Sequence, residues 1–249
     1  MIEILVTGKT LPDAYHTALA MLHEDGEISP CPDYNTNQKE LSMTMVVEEP
    51  LAEPMISKLF IGGYRELEQY RQEMLDGILD FEIERGNWAY TYHSRMEKQV
   101  PFIINELRRN PDSRRAVIDV RDWEKDAASD DPACLQHIQF FIRGGKLHGK
   151  VLFRSNDACK AVFMNAFALI MLQKRIADEL GIPMGSYTHR ANSFHCYERD
   201  FGMLEGYVKR IESVGDLTYN YVGEWEELME DSREEIAAMV AELKSRGEQ

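Results

Sequence analysis

The sequence predicts a single domain of the α+β (α/β) class, with a mixed, mostly antiparallel sheet covered by helices. Strand-like segments in the centre of the chain alternate with long amphipathic helices. Two of these strands are joined by Gly144-Gly145, a strong signal for an antiparallel hairpin, which argues against a purely parallel sheet. A third observation is the segment "NAFALIMLQKRIADELG", which is apolar nearly all round in its first half and predicts a long buried central helix.

The length of 249 residues suits one large domain, or less readily two small ones. No linker rich in Pro, Gly or Ser and no internal repeat divides the chain. We therefore expect one domain over residues 1–249.

The first elements follow from capping and turn residues. "TLPDAYHTALAMLHEDG" predicts an N-terminal helix that is capped by Thr10 and ends near Gly26. "CPDYNTNQKE" is rich in turn residues and predicts a loop. "LSMTMVVEEP" alternates at its start and predicts a strand.

Two helices and a strand are predicted next. "YRELEQYRQEMLDG" is an amphipathic helix that ends at Gly77, and "VPFIINELRRNPDS" is a helix that ends at the Asn-Pro step. "RRAVIDVRDW" is predicted to be a strand that carries Arg114 and Arg115 at its start.

The hairpin and the final elements complete the prediction. "CLQHIQFFIRGGKLHGKVLFRS" contains both hairpin strands, and the buried helix ends at Gly181. "MGSYTHRANSFHCYERD" predicts a last strand that runs into a polar segment. The tail "DSREEIAAMVAELKSRG" predicts an exposed amphipathic helix capped by Asp231 or Ser232.

Composition excludes several classes of function. The net charge of −15 repels nucleic-acid phosphates, so a DNA partner is not expected. The N-terminus does not resemble a signal peptide and no apolar run reaches membrane-spanning length, so a membrane partner is not expected either. The four cysteines form no CxxC pair, which disfavours a metal site and predicts free thiols in a cytoplasmic protein.

Several polar residues at the ends of the predicted elements could carry chemistry. Cys134 opens a strand, "RSND" closes the second hairpin strand, and His195 and Tyr197 share one face of the last strand. Each has a structural interpretation that is the more common one when it is taken alone. Cys134 could be a buried thiol, Asn165 a helix cap, and His195 and Tyr197 core residues with satisfied polar tips.

The order and spacing of the whole set change this balance. "NPDSRR", Cys134 after an acidic turn, "QFFIRGGKL", "RSND", Asn165 eight residues further on and "HCY" together resemble the thymidylate synthase family. The resemblance runs from about Leu41 to Asp200 and is closest to archaeal and phage-type members. It departs from the common pattern in "AC" before the nucleophile position, in Leu135, and in the C-terminal "AELKSRGEQ".

The resemblance implies a thymidylate synthase-like fold and a one-carbon transfer. The one-carbon unit passes from the co-substrate 5,10-methylenetetrahydrofolate to position 5 of a pyrimidine nucleoside monophosphate, while Cys134 forms a covalent adduct with the ring. A homodimer is implied, with Arg114 and Arg115 reaching into the partner's site. The implied substrate-binding residues are Arg114, Arg115, Arg154, Ser155, Asp157, Asn165, His195 and Tyr197. The implied catalytic residues are Cys134, Glu66, Tyr90, Asn165 and Arg154.

Two of the implied catalytic residues rest on the resemblance alone. Glu66 matches a glutamate that moves protons, although its segment also suits a solvated helix face. Tyr90 matches a tyrosine associated with removal of the proton at position 5, and Tyr92 is close to it in the sequence.

Asn165 bears on which base is bound. A carboxamide can donate to uracil O4 and accept from N3–H, so asparagine favours dUMP as substrate and dTMP as product. The alternatives are a dCMP, dUMP or CMP hydroxymethylase, a dCMP methyltransferase, and, from a different class, a non-catalytic nucleotide-binding or RNA-binding protein.

Overall fold

A mixed seven-stranded sheet organises the fold of the computed structural model, which describes residues 1–246. Residues 247–249, at the end of the predicted tail and of the predicted single domain, lie outside the described residues. The strands are β1 (Glu3–Gly8), β2 (Glu27–Cys31), β3 (Thr36–Val47), β4 (Ile56–Ser57), β5 (Val117–Asp119), β6 (Leu135–Arg143), β7 (Lys146–Asp157), β8 (Met184–Tyr197) and β9 (Thr218–Tyr219).

The pairing of the strands is mostly antiparallel. The sheet runs in the order β1-β3-β8-β7-β6-β5, with β2 also paired to β3, while β4 and β9 form a separate pair. Only β1 with β3 and β7 with β8 are parallel within the described sheet. The predicted hairpin is confirmed, since β6 and β7 are antiparallel and Gly144 and Gly145 both have positive φ.

The described residues also form helices, several of which contact the strands of this sheet. They are α1 (Leu11–Asp25), α2 (Tyr64–Asp76), α3 (Phe81–Glu84), α4 (Tyr92–Met96), α5 (Val100–Arg109), α6 (Trp123–Asp126), α7 (Val162–Leu180), α8 (Phe201–Ser213), α9 (Glu226–Asp231) and α10 (Arg233–Arg246). The predicted buried helix is α7, which packs against β7, β8 and the helices α2 and α5. The predicted α+β class is therefore confirmed.

The helix ends show how local sequence sets these boundaries. Thr10 caps α1 through a reciprocal pair of hydrogen bonds with Asp13, and Gly26 follows the end of the helix. Gly77 and Gly181 end α2 and α7 in the left-handed region, with φ of 64° and 68°. The helices α1, α2 and α7 therefore end where the sequence predicts that they end.

Two predicted elements have different boundaries. The predicted strand "RRAVIDVRDW" is shortened to β5, because Asp122 accepts a hydrogen bond from the Lys125 N–H and begins α6. Arg114 and Arg115 precede the strand instead of lying on it, because pairing with β6 begins only at Val117. The predicted loop "CPDYNTNQKE" is largely strand, because Asn35 takes φ of 48° and lets β2 turn tightly into β3.

The tail differs from the prediction in its cap. The Ser232 hydroxyl donates backwards to the Met229 carbonyl, and Asp231 is the last residue of α9, so neither side chain acts as the predicted cap of α10. The helix is held instead by Ile236 and Val240, which pack on Leu79. Neither β1 nor α8 was predicted from the sequence.

The face of the sheet away from α7 carries half-buried and exposed side chains. Leu5 is 69% exposed on β1, and Lys150 is exposed on β7. Arg190 on β8 donates to Glu3, Ser42 and Thr44 across this face. No helix among residues 1–246 is long and apolar enough to cross a membrane.

A buried histidine joins β7 to β8. The His189 ring is fully buried, stacks on Phe153 at 4.8 Å, and lies 2.9 Å from both the Tyr187 hydroxyl and Asn156 Oδ1. A neutral ring satisfies both partners by accepting from Tyr187 and donating to Asn156. Burial lowers the pKa of His189 to about 3.

We expect His189 to make folding stability fall as the pH falls. The unfolded chain protonates this ring near pH 6.5, whereas the folded chain resists protonation until about pH 3, so stability declines by about 1.4 kcal/mol per pH unit between these values. His189→Gln should be less stable at about pH 7.5, and should lose about 1 kcal/mol less than the wild type on going to about pH 5.5.

Urea unfolding of both proteins at the two pH values measures this difference. Burial also lowers the pKa of His16 to about 4, so His16 likewise makes stability fall as the pH falls. Its contribution is the same in the wild type and the variant and cancels in the comparison. An equal loss of stability in wild type and variant would contradict the assignment.

Candidate active site

A cleft of about 620 Å³ opens at the end of the sheet where β7 and β8 finish. We call it the Cys134 cleft. The β2–β3 turn, the segment before β6, the ends of β7 and β8, the middle of α2 and the starts of α4 and α7 meet there. Its lining is Cys31, Asp33, Tyr34, Gln38, Tyr70, Tyr92, Asp130, Asp131, Pro132, Cys134, Arg154, Ser155, Asn156, Asp157, Ala161, Asn165, Ser193, His195 and Tyr197.

Arg154 positions the segment that carries the cysteine. Its guanidinium donates to the Pro132 carbonyl at 2.7 Å and to the Ala133 carbonyl at 3.2 Å, and its backbone N–H donates to the Cys134 carbonyl. The half-buried Cys134 Sγ lies 3.6 Å from the Ser155 hydroxyl. A thiol, a hydroxyl and a fixed positive charge therefore share one side of the cleft.

The charge of Arg154 is only weakly balanced by the protein. Its acidic neighbour is Asp131, at 3.9 Å, and the Asp131 side chain is 81% exposed. An exposed ion pair at this distance contributes little free energy. Arg154 can therefore bind an anionic ligand that enters the cleft.

Asn165 does not cap α7, so the capping interpretation is wrong. The N-cap position is Ala161, and Asn165 lies one turn inside the helix with 4% of its surface exposed. Its side-chain Oδ1 accepts a hydrogen bond from the Tyr70 hydroxyl on α2. The amide therefore belongs to the cleft wall, where it can read the polarity of a ligand.

His195 presents an unused acceptor to the cleft. Its Nδ1 lies 3.2 Å from the Ser193 carbonyl and donates to it, while its buried Nε2 has no partner within residues 1–246. Burial lowers the pKa of His195, so the ring is neutral at neutral pH and Nε2 can accept a hydroxyl proton. The Tyr197 ring lies edge-on at 4.8 Å.

Asp157 uses its carboxylate locally. Oδ1 accepts from the backbone N–H groups of Cys159 and Lys160, which shapes the turn into α7. Burial raises the pKa of this carboxyl. The side chain therefore supports the wall of the cleft, which Asp157 lines.

A second compartment of about 480 Å³ adjoins the Cys134 cleft and shares Tyr70, Tyr92 and Asp131 with it. Tyr90 and Glu73 lie in this compartment. Burial raises the pKa of Tyr90 to about 12. The two connected spaces can hold two ligands side by side.

Four predicted site residues lie outside the Cys134 cleft, and one of them, Tyr90, lines the second compartment. Glu66 is exposed, and its carboxylate accepts from the Gly63 N–H at the start of α2. Arg114 and Arg115 are exposed on the segment before β5, beside a separate concavity that Asn110 also lines. Within one chain the structure therefore brings together Cys134, Arg154, Ser155, Asp157, Asn165, His195 and Tyr197.

Sequence reasoning missed Tyr70 as a residue of the cleft and did not assign a role to Tyr92. The Tyr92 hydroxyl accepts from the backbone N–H of Leu135, next to the cysteine. Tyr70 and Glu73 are three residues apart and therefore share one face of α2. That spacing was visible in the sequence, but it does not reveal which neighbour the face meets.

The comparisons with known proteins agree on one family. A family model described as thymidylate synthase matches residues 66–238. A protein of Methanocaldococcus jannaschii named "Putative thymidylate synthase" is 32% identical over 218 residues, which cover 82% of this chain and 96% of that protein. Thymidylate synthase 1 of Bacillus subtilis is 29% identical over 160 residues, covering 62% and 56% of the two chains.

A solved structure shows the same fold. Thermostable thymidylate synthase A of Bacillus subtilis superposes with a TM-score of 0.64 at 17% identity, over 80% of this chain and 84% of that one. The predicted thymidylate synthase-like fold is therefore confirmed.

We expect the cysteines to divide into two classes of reactivity. Cys31 and Cys134 are half-buried in the cleft, whereas Cys159 and Cys196 are buried with their sulfur atoms 3.6 Å apart. A small neutral alkylating reagent should therefore label Cys31 and Cys134 in the native protein, and the other two only after unfolding. Mass spectrometry of peptides measures the labelling, and equally fast labelling of Cys159 or Cys196 in the native state would contradict the burial.

Proposed function

The chain belongs to the thymidylate synthase family, and we propose that it converts dUMP to dTMP with 5,10-methylenetetrahydrofolate as the one-carbon donor. Membership of the family makes the protein a one-carbon transferase. The substrates and residue roles below are our proposal. The observation that carries it is the meeting of Cys134, Arg154, Asn165 and His195 in one cleft.

Cys134 is the proposed nucleophile. The position-5 carbon of uracil is a poor nucleophile, and addition of a thiolate at position 6 removes this obstacle. The sulfur–carbon bond forms, the C5=C6 π bond breaks, and its electron pair moves toward O4, so that C5 can attack. The Arg154 guanidinium holds the segment that carries the thiol, through the carbonyls of Pro132 and Ala133.

The remaining cleft residues match the parts of a nucleotide. Arg154 and Ser155 would hold the phosphate, because charge-assisted hydrogen bonds are the strongest available to it. His195 Nε2 can accept the proton of a sugar hydroxyl, with Tyr197 beside it. The Asn165 amide would bind the base, and the backbone of Asp157 would line the ring.

The second compartment is the proposed place for the folate. Its lining includes the aromatic side chains Tyr70, Trp88, Tyr90 and Tyr92, which suit a flat ring system. Bound there, the co-substrate supplies the one-carbon unit. The contact between the two spaces supports transfer between ligands held side by side, since reacting groups must be adjacent.

The proposed roles in proton transfer differ in their structural support. Tyr90 lies in the folate compartment and keeps its proton up to high pH. Glu66 caps α2 away from the cleft, and its role stays a prediction.

A homodimer is the proposed assembly. The sheet face with Leu5, Lys150 and Arg190 is not packed by α7 and offers a surface for a second copy. Arg114 and Arg115 make no ion pair within the described part of the chain, so they are available to a partner's phosphate site. A cytoplasmic location fits the four free cysteines.

We expect Cys134→Ala to abolish turnover of dUMP while leaving dUMP binding within a few-fold, because the thiol forms the covalent bond but contributes little to binding. Cys31, the other half-buried thiol of the cleft, is the matched comparison, and Cys31→Ala should keep turnover. Mass spectrometry of the product also separates a methyl from a hydroxymethyl group, and parallel incubation with dCMP and CMP tests the base.

Turnover by Cys134→Ala would exclude this mechanism. A hydroxymethyl product, or turnover of cytosine nucleotides only, would favour the related hydroxymethylases and dCMP methyltransferases. Nucleotide binding without turnover in the wild type would favour a non-catalytic binding protein.

We expect inactive Cys134→Ala and Arg115→Ala chains to restore activity when they are mixed. A hybrid dimer has one site with an intact cysteine and an intact partner arginine, so random exchange restores roughly a quarter of the sites. Mixing Cys134→Ala with Cys134→Ser is the control, since both chains lack the thiol. Failure of rescue after demonstrated subunit exchange would argue against arginines supplied by the partner.

A further inference from the structure

A hydrogen bond joins the Tyr70 hydroxyl to the Asn165 amide at the proposed base site. We propose that Tyr70 is a positioning residue that sets base specificity, by holding the Asn165 amide with its NH2 group toward the ligand and so selecting a uracil over a cytosine nucleotide. The inference rests on the proposed function and adds to it the substrate preference of this site.

The contact is long-range and well enclosed. Tyr70 lies on α2 and Asn165 on α7, 95 residues away, and both line the Cys134 cleft. The Tyr70 hydroxyl donates to Asn165 Oδ1, and Asn165 is only 4% exposed. The Asn165 NH2 group makes no hydrogen bond within residues 1–246, so it is available to a ligand in the cleft.

A flipped amide would leave the Tyr70 proton without an acceptor. The NH2 group would then face the phenol oxygen, and the phenol proton would need another partner. Among the side chains near this phenol, Glu73 Oε1 already accepts from Gln69 and the Tyr92 oxygen accepts from the Leu135 N–H. An unpaired buried donor disfavours the flipped state by about ten-fold or more.

The phenol remains a donor over the whole working range of pH. Burial raises the pKa of Tyr70 well above its usual value, with Tyr92, Glu73 and Cys134 as further contributors. The other titratable groups of the shared wall are Tyr90 and Asp131. The Arg154 guanidinium also lines the cleft, but burial is the largest influence on the Tyr70 phenol and keeps it protonated near neutral pH.

The held orientation discriminates between the two bases. Uracil offers an acceptor at O4 and a donor at N3–H, which match the amide NH2 and the second lone pair of Oδ1. Cytosine offers an amino group and a bare N3, so its amino group would meet the amide NH2, donor against donor. Binding cytosine therefore requires the flip that Tyr70 opposes.

The experiment compares Tyr70→Phe with Tyr64→Phe, an exposed tyrosine on the same helix. The measured quantities are kcat/KM for dUMP and dCMP in each protein, and the dissociation constants of both nucleotides in a Cys134→Ala background. We expect Tyr70→Phe to lower the dUMP-to-dCMP preference by about ten-fold. Tyr64→Phe should leave the preference unchanged.

A second background separates positioning from a general structural effect. The carboxylate in Asn165→Asp has two equivalent oxygens and no ends to exchange, so adding Tyr70→Phe there should leave the base preference unchanged. A packing defect would act in both backgrounds and on both nucleotides.

The outcomes are distinct. Equal losses for dUMP and dCMP in Tyr70→Phe, or the same change of preference in the Asn165→Asp background, would overturn the role of Tyr70 while the proposed function stands. A wild-type protein that neither binds nor converts dUMP or dCMP would overturn both.

Discussion

The parallel pairing of β7 with β8 is the constraint on which the candidate site depends. It sets Ser155 opposite Ser193 and Asp157 opposite His195, so groups proposed for phosphate, ring and sugar end at the same edge of the sheet. The fully buried His189, which precedes His195 on β8, ties the two strands together through its hydrogen bond with Asn156 on β7. A shift of one residue would turn every one of these side chains to the opposite face.

Arg154 links this sheet edge to the proposed nucleophile and resolves an electrostatic difficulty. The proposed function requires a chain with a net charge of −15 to bind a nucleotide anion. A single guanidinium, held by two carbonyls and only weakly paired with an exposed carboxylate, supplies local positive charge where surface charge is screened by solvent. The same contacts fix Pro132 and Ala133, so the cysteine and the charge are placed together.

The helices contribute the discriminating group. α7 is buried against the sheet and carries Asn165 one turn inside its start, while α2 packs on α7 and brings Tyr70 to the amide. In the proposed function, the strands would hold the parts that any pyrimidine nucleotide shares, and the crossing of two helices would determine how the base edge is read. Activity and base preference would then be able to change separately.

Local signals in the sequence predicted much of the fold. Thr10, Gly77, Gly181 and the Gly144-Gly145 pair end or join elements through their own backbone and capping chemistry, so the neighbouring residues suffice to place them. The joint motif from Arg114 to Tyr197 predicted the family, and seven of its residues meet in one cleft. The prediction of a strand over all of "RRAVIDVRDW" was wrong at its end, because Asp122 begins a short helix that no hydrophobic periodicity indicates.

Only the tertiary structure decided which of these residues meet within one chain. Glu66 and Tyr70 lie one turn apart on the same helix, yet the first caps the exposed start of α2 while the second touches Asn165, because α2 meets α7 only beyond its first turn. Arg114 and Arg115 lie outside their own chain's cleft for a similar reason, since β5 starts two residues after them at the far edge of the sheet. The sequence by itself determined the family and the residue types, since these depend on neighbouring positions. The contacts of each side chain depend on long-range packing, which the order of residues does not display.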